Sequence, residues 1–129
     1  MSIYQNRTEI YTALTNLTEV EGQAISVYPS PPQNPAAFIA YIELSNATQG
    51  KAFGSLDTIW EITATGSAKQ STPAATAFLD QLTDAIITVI ISTGVGNVDD
   101  VQPYFVLTDN SSGGTVPATR ITITSRTNL

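Results

Sequence analysis

Residues 71–91 read STPAATAFLDQLTDAIITVII, and this stretch decides the fold. Thr72 can cap a helix start, and Pro73 suits the first helical position, where its missing N–H would have had no partner. Ala75, Phe78, Leu79, Leu82, Ile86, Val89 and Ile90 recur at three- and four-residue steps, the stripe of an amphipathic helix. Asp80, Gln81, Thr83 and Asp84 lie mostly off that stripe, and Gly94 and Gly96 close the segment. The stretch carries no reactive group, so it reads as a core helix that the rest of the chain covers.

Upstream, residues 2–18 read as a first helix. Ile3, Ile10, Leu14 and Leu17 share its face, and Arg7 interrupts it. Residues 19–22 turn out of it, and 24–28 form a short strand with Ile25 and Val27 on one side. SPPQNP at 30–35 can be neither helix nor central strand. It is a rigid connector or a stiff surface segment docked by a neighbour. Residues 36–44 are a second strand, with Phe38, Ala40, Ile42 and Leu44 facing one way and Ile39, Tyr41 and Glu43 the other. SNATQGKAFGSL at 45–56 reads as a loop, longer than the roughly 2–5 residues of an ordinary hairpin connection. Phe53 within it either tucks back on the core or anchors a partner.

The third strand is DTIWEITAT at 57–65, where Trp60, Ile62 and Ala64 alternate with Ile59, Glu61 and Thr63. Trp60 is the single Trp, and an indole buries much area in one place, so it is placed in the core. After the central helix, a fourth strand lies within 98–108, placed at 103–108. DNSSGGTVP at 109–117 is a loop or wide turn. Residues 118–125 are a fifth strand, with Ile121 and Ile123 inward and Arg120, Thr122 and Thr124 outward, and 126–129 are a polar tail.

The order is α-β-β-β-α-β-β. Hairpin-like neighbours imply a mostly antiparallel sheet of about five strands with two helices packed on one face, a single α+β domain over residues 1–129. The opposite face would carry Tyr41, Glu43, Glu61, Thr63, Thr122 and Thr124; the alternation alone does not say which parity faces in.

Composition narrows the function. The 129 residues carry a net charge of −6 and only 12% charged residues, where soluble domains carry about 25%. A field of Lys and Arg for nucleic-acid phosphates is missing, since the five bases Arg7, Lys51, Lys69, Arg120 and Arg126 are scattered. Anionic membranes are disfavoured for the same reason. With no Cys and no His, thiolate chemistry and the commonest general base are gone. MSIYQNRTE does not read as a signal peptide, and no apolar run reaches about 18 residues. Sequons at Asn6, Asn16, Asn46 and Asn110 read as chance in so Thr-rich a chain.

Catalytic patterns are sparse. No G-x-S-x-G elbow, S-x-x-K or phosphate-binding G-x-x-x-x-G-K occurs, and GVG at 94–96 follows a helix instead of opening one. Asp80 and Asp84 stand one helical turn apart, and Asp99–Asp100 precedes a strand; both pairs read as solvated surface. DNSSGG lacks the alternating acids and terminal Glu of a calcium loop. No catalytic, cofactor or metal residue is assigned. Assembly remains: uncharged, Thr-rich strands pair without repulsion, and edge strands with few charges can extend a neighbour's sheet.

The layout resembles the tail-terminator proteins of long-tailed bacteriophages, within a wider group of tail-completion and neck proteins. The resemblance runs over nearly the full length. RTEIYTALTNL leads to a short strand ending in VYPSPP. PAAFIAYIEL and TIWEITATG follow, then PAATAFLDQLTDAII, then two strands, the last entered through GTVPATRITITS. It implies a virion protein, not an enzyme, made in the host cytoplasm. Its copies would form a ring, typically a hexamer, at the head-proximal end of the tail tube. The ring would stop tube polymerisation and face the head connector, with DNA only passing through and no membrane partner. Candidate contact residues are Pro31, Pro32 and Pro35, Lys51 and Phe53, and Asn110 and Thr115. Other readings stay open: a head–tail joining protein, a tube subunit, or a small ligand-binding module using 45–56 and 109–117. Deleting 48–54 is expected to leave the fold intact and impair assembly.

Overall fold

A computed structural model describes residues 2–34, 36–50, 54–108 and 114–128. In chain order its elements are α1 (Ile3–Leu14), β1 (Glu19–Val20), β2 (Gln23–Ala24), β3 (Ser26–Tyr28), β4 (Ile39–Gln49), β5 (Ser55–Thr65), α2 (Thr72–Thr93), β6 (Asn97–Thr108) and β7 (Thr115–Asn128). The five longer strands form one sheet in the order β3-β4-β5-β7-β6. Every junction in it is antiparallel except β3 against β4. The architecture is the expected α+β arrangement, with the small hairpin β1-β2 added.

The helix that the sequence centres on is α2. Ser71 caps it by accepting from the Ala74 N–H at 3.3 Å, one residue earlier than expected, and Pro73 falls in the first turn. Gly94 ends it in the left-handed conformation at φ 69°, which glycine adopts without a Cβ penalty. Ala75, Phe78, Leu79, Leu82, Ile86 and Ile90 are buried, as the stripe requires, while Val89 is only half-buried. α2 is also long and apolar enough to cross a membrane by length and composition, at mean hydropathy 1.5. The sequence reading found no such run because Asp80, Gln81, Thr83 and Asp84 interrupt it without lowering the average enough. In this fold the stripe lies on the sheet.

The inward parity is now fixed. Ala40, Ile42, Trp60, Ile62, Ala64, Ile121 and Ile123 join Leu79, Leu82, Ile86 and Ile90 in one core. Cross-strand rows build it: Ile42 lies opposite Ile62, and Ile62 opposite Ile121. Tyr41, Glu43, Glu61, Thr63, Thr122 and Thr124 all take the other face.

Several boundaries shift for identifiable reasons. α1 stops at Leu14, not 18, because its last carbonyls are taken by tight turns: Asn16 N–H to Ala13 O and Leu17 N–H to Leu14 O. The expected strand 24–28 splits, since Val20 and Gln23 pair across a two-residue turn. Its central residues Glu21 and Gly22 both have positive φ, 52° and 76°. The expected loop 45–56 is largely ladder: Asn46, Ala47, Thr48 and Gln49 pair with Ile59, Thr58, Asp57 and Leu56. A deletion starting at 48 therefore removes strand as well as turn. The fourth strand begins at Asn97, and the supposed polar tail pairs with β5, Asn128 reaching Ser55.

α1 is fastened to the sheet by a buried polar cluster. Asn6 is 1% exposed, and its Nδ2 donates to Thr58 Oγ1 at 2.8 Å. Trp60 Nε1 donates to the same hydroxyl at 2.9 Å, and that hydroxyl donates to Ser125 O at 2.9 Å. Ser125 Oγ closes the circuit by donating to Asn6 Oδ1 at 3.1 Å. Arg7, read as an interruption of the helix face, stacks its guanidinium 5.1 Å from the Trp60 ring and donates to Pro29 O at 2.7 Å. Among the described residues no buried side-chain polar atom lacks a partner. Thr58→Val keeps the shape and removes the hydroxyl that Asn6 and Trp60 share as acceptor, so it is expected to cost about 2–4 kcal/mol in urea unfolding. Thr58→Ser, which retains the hydroxyl, should cost much less.

Candidate assembly surfaces

The sheet face away from the helices carries the expected Tyr41, Glu43, Glu61, Thr63, Thr122 and Thr124, and it is exposed only in part. Tyr41, Thr63, Thr65 and Ala118 lie on it and are buried. Thr65 Oγ1 donates to Ala36 O at 2.6 Å and accepts from the Ile39 N–H at 3.1 Å, which pins the segment entering β4. Arg120 organises the middle. Its guanidinium lies 4.8 Å from the Phe105 ring centroid, and its Nε donates to Thr63 Oγ1 at 3.2 Å and faces Glu61 Oε2 at 3.6 Å. Glu43 sits directly opposite Glu61. Like charges at that spacing repel, and Arg120 offsets the repulsion.

The two edges of the sheet differ in length. β3 pairs only with Ile39, Ala40 and Tyr41, so it is a short edge. β6 is a long one, with irregularities between Val98 and Asp100 and between Gln102 and Phe105. Thr119 Oγ1 pins the second by donating to Gln102 O at 3.1 Å, and Thr83 of α2 donates to the same hydroxyl at 3.3 Å. Asp99, Asp100 and Pro103 lie in the first part of β6, and charge, proline and bulges are the devices that keep an edge from pairing. Beyond the irregularity that ends at Phe105, the run to Thr108 carries neither charge nor proline, and Tyr104 and Val106 are 40% and 51% exposed.

Of the predicted contact residues, Pro31, Pro32 and Thr115 lie among the described residues. Pro31 is exposed and Pro32 half-buried, in the connection beside β3. Thr115 is exposed and opens β7 opposite Thr108. Pro35, Lys51, Phe53 and Asn110 lie outside the described residues. The β4–β5 connection and the β6–β7 connection are at opposite ends of the sheet, because Ser55 pairs with Asn128 and Thr65 with Ala118. The sequence reading missed the β6 edge as a surface. Its signal was the uncharged run Tyr104–Thr108 following two acids and a proline.

The acid pairs stand apart: Asp80 and Asp84 are exposed on α2, and Asp99 accepts a hydrogen bond from the Thr124 hydroxyl. One open cleft of about 680 Å³ is lined by Glu9, Ile91, Gly94, Gly96, Thr124 and Arg126. Arg126 is held there by Asp57 at 3.1 Å. Among the described residues no group of three or more His, Cys, Asp or Glu could hold a metal ion. No family model matches the chain, and no curated protein matches it significantly.

Arg120→Met removes the stack on Phe105 and leaves Glu43 facing Glu61, and is expected to lower stability by about 1–2 kcal/mol. Arg120→Lys keeps the charge but not the planar stack, and should fall between Met and wild type in urea unfolding.

Proposed function

We propose that this chain is a structural subunit of a phage tail neck, a tail terminator whose copies close into a ring on the head-proximal end of the tail tube. The observation that carries the reading is the order and phrasing of elements along almost the whole chain, which resembles that family. The fold supports it in two ways. The candidate contact segments are spread over opposite ends of the sheet, which suits a subunit with one neighbour towards the tube and another towards the head. The sheet also keeps uncharged edge backbone in a chain with few charges elsewhere.

Glu43 and Glu61 stand together on the face away from the helices. If that face lines the channel, the acids let DNA pass without adhering, since like charge repels phosphate. Glu43→Gln with Glu61→Gln should then slow DNA passage in assembled particles while leaving the ring intact; unchanged passage counts against that orientation.

The test of the reading is native mass over a concentration series, with negative-stain imaging of the largest species. A discrete closed ring, of about six subunits by the family resemblance, is expected. Open-ended tubes would assign the chain to the tube itself. A monomer that neither closes alone nor binds the ends of tail tubes would overturn the reading.

A further inference from the structure

We propose that copies of this chain join edge to edge, Tyr104–Thr108 of β6 adding in antiparallel fashion to the outer edge of β3 on the next copy. The inference rests on the ring reading above and names the surface that would build it.

Backbone direction carries the case. Val106 lies opposite Pro117, which has no N–H. A hydrogen-bonded antiparallel pair exchanges two N–H···O bonds, so this pair is of the other kind. The Pro117 carbonyl indeed points towards β5, where it accepts from the Gly66 N–H at 2.8 Å. The N–H and C=O of Val106 therefore point off the sheet edge, and alternation turns those of Thr108 the same way. At the opposite edge Ser26 donates to Phe38 O at 3.2 Å, so Ser26 and Tyr28 use their backbone towards β4 and Val27 turns its own outward.

The two outward residues match in sense and face and differ in level by two residues. Val27 is in register with Ala40, Ala40 with Ala64, and Ala64 with Thr119, two residues from Pro117 on β7. The edges thus meet with a stagger of about 7 Å. β3 runs parallel to β4, and each later junction reverses the direction, so β6 is antiparallel to β3 of a copy in the same orientation. Val27 packs against the core on the helix side, and Val106 shares that side with Pro117. Neither segment carries a charge, and Tyr28 and Tyr104, at 41% and 40% exposure, flank the junction. A second copy is the occupant because the chain itself supplies the matching edge. A joint between two different edges is head-to-tail, the kind that closes into rings.

The natural chain has no Cys, so the double variant Val27→Cys/Val106→Cys is a clean probe. Within one chain the two positions are four strand spacings apart, about 19 Å, too far for a disulfide. Across the proposed joint they form a hydrogen-bonded pair about 5.5 Å apart, within reach of one. Oxidation should give a ladder of covalent oligomers up to the ring, and neither single variant should give it. Val106→Lys should reduce the native mass to one subunit, while Ile91→Lys, on exposed helix surface, should leave the ring in place; circular dichroism checks that each is folded. A wild-type ring with no ladder from the double variant overturns the edge joint and leaves the ring reading standing. A wild-type protein that is monomeric throughout, does not bind the ends of tail tubes and gives no ladder overturns both.

Discussion

The structure depends on one hydroxyl. Thr58 Oγ1 accepts from Asn6 and from Trp60 and donates to the Ser125 carbonyl, so α1, β5 and β7 are tied at a single point. The largest side chain of the core is anchored by its only polar atom, and the helix is fixed in rotation by a side chain that cannot reach water. Buried polar groups are costly unless satisfied, so a closed circuit of this kind specifies one arrangement of the layers more sharply than apolar packing does. The stripe of α2 then packs on a sheet whose position relative to α1 is already determined.

What the fold secures at its centre it leaves open at its edges. β5 and β7 are paired along both sides, and their rows of Ile and Trp form the core. β6 and β3 are paired on one side only. Charge and proline guard the early part of β6, and no such device guards its end. The low charge of the chain also removes the repulsion that would keep two strands apart.

The core was legible in the sequence because burial imposes a period. The stripe of α2, the alternation Trp60-Ile62-Ala64 and the pair Ile121-Ile123 each declare a face. Ser45–Gln49 was not legible as strand because it extends past the core, where backbone pairing holds it and side chains need no alternation. Asn6 carries no signal of burial in the sequence, and only the meeting of α1 with β5 and β7, distant in sequence, makes it a buried partner. Arg7 looked like a flaw in an apolar face and covers the Trp60 ring instead. The candidate contact residues were chosen as loop residues, and loops show as composition. An edge strand with outward backbone shows only once its neighbours are known, here from Pro117 opposite Val106.

The measurement that tests the central claim most directly is amide hydrogen exchange of the unmodified chain, compared between dilute and concentrated protein. The account predicts that the Val27 and Val106 amides exchange freely when dilute and gain protection together as the mass rises to the ring, while the Trp60 and Ile62 amides stay protected throughout. A ring that forms while both edge amides keep exchanging as they do in the monomer would contradict it.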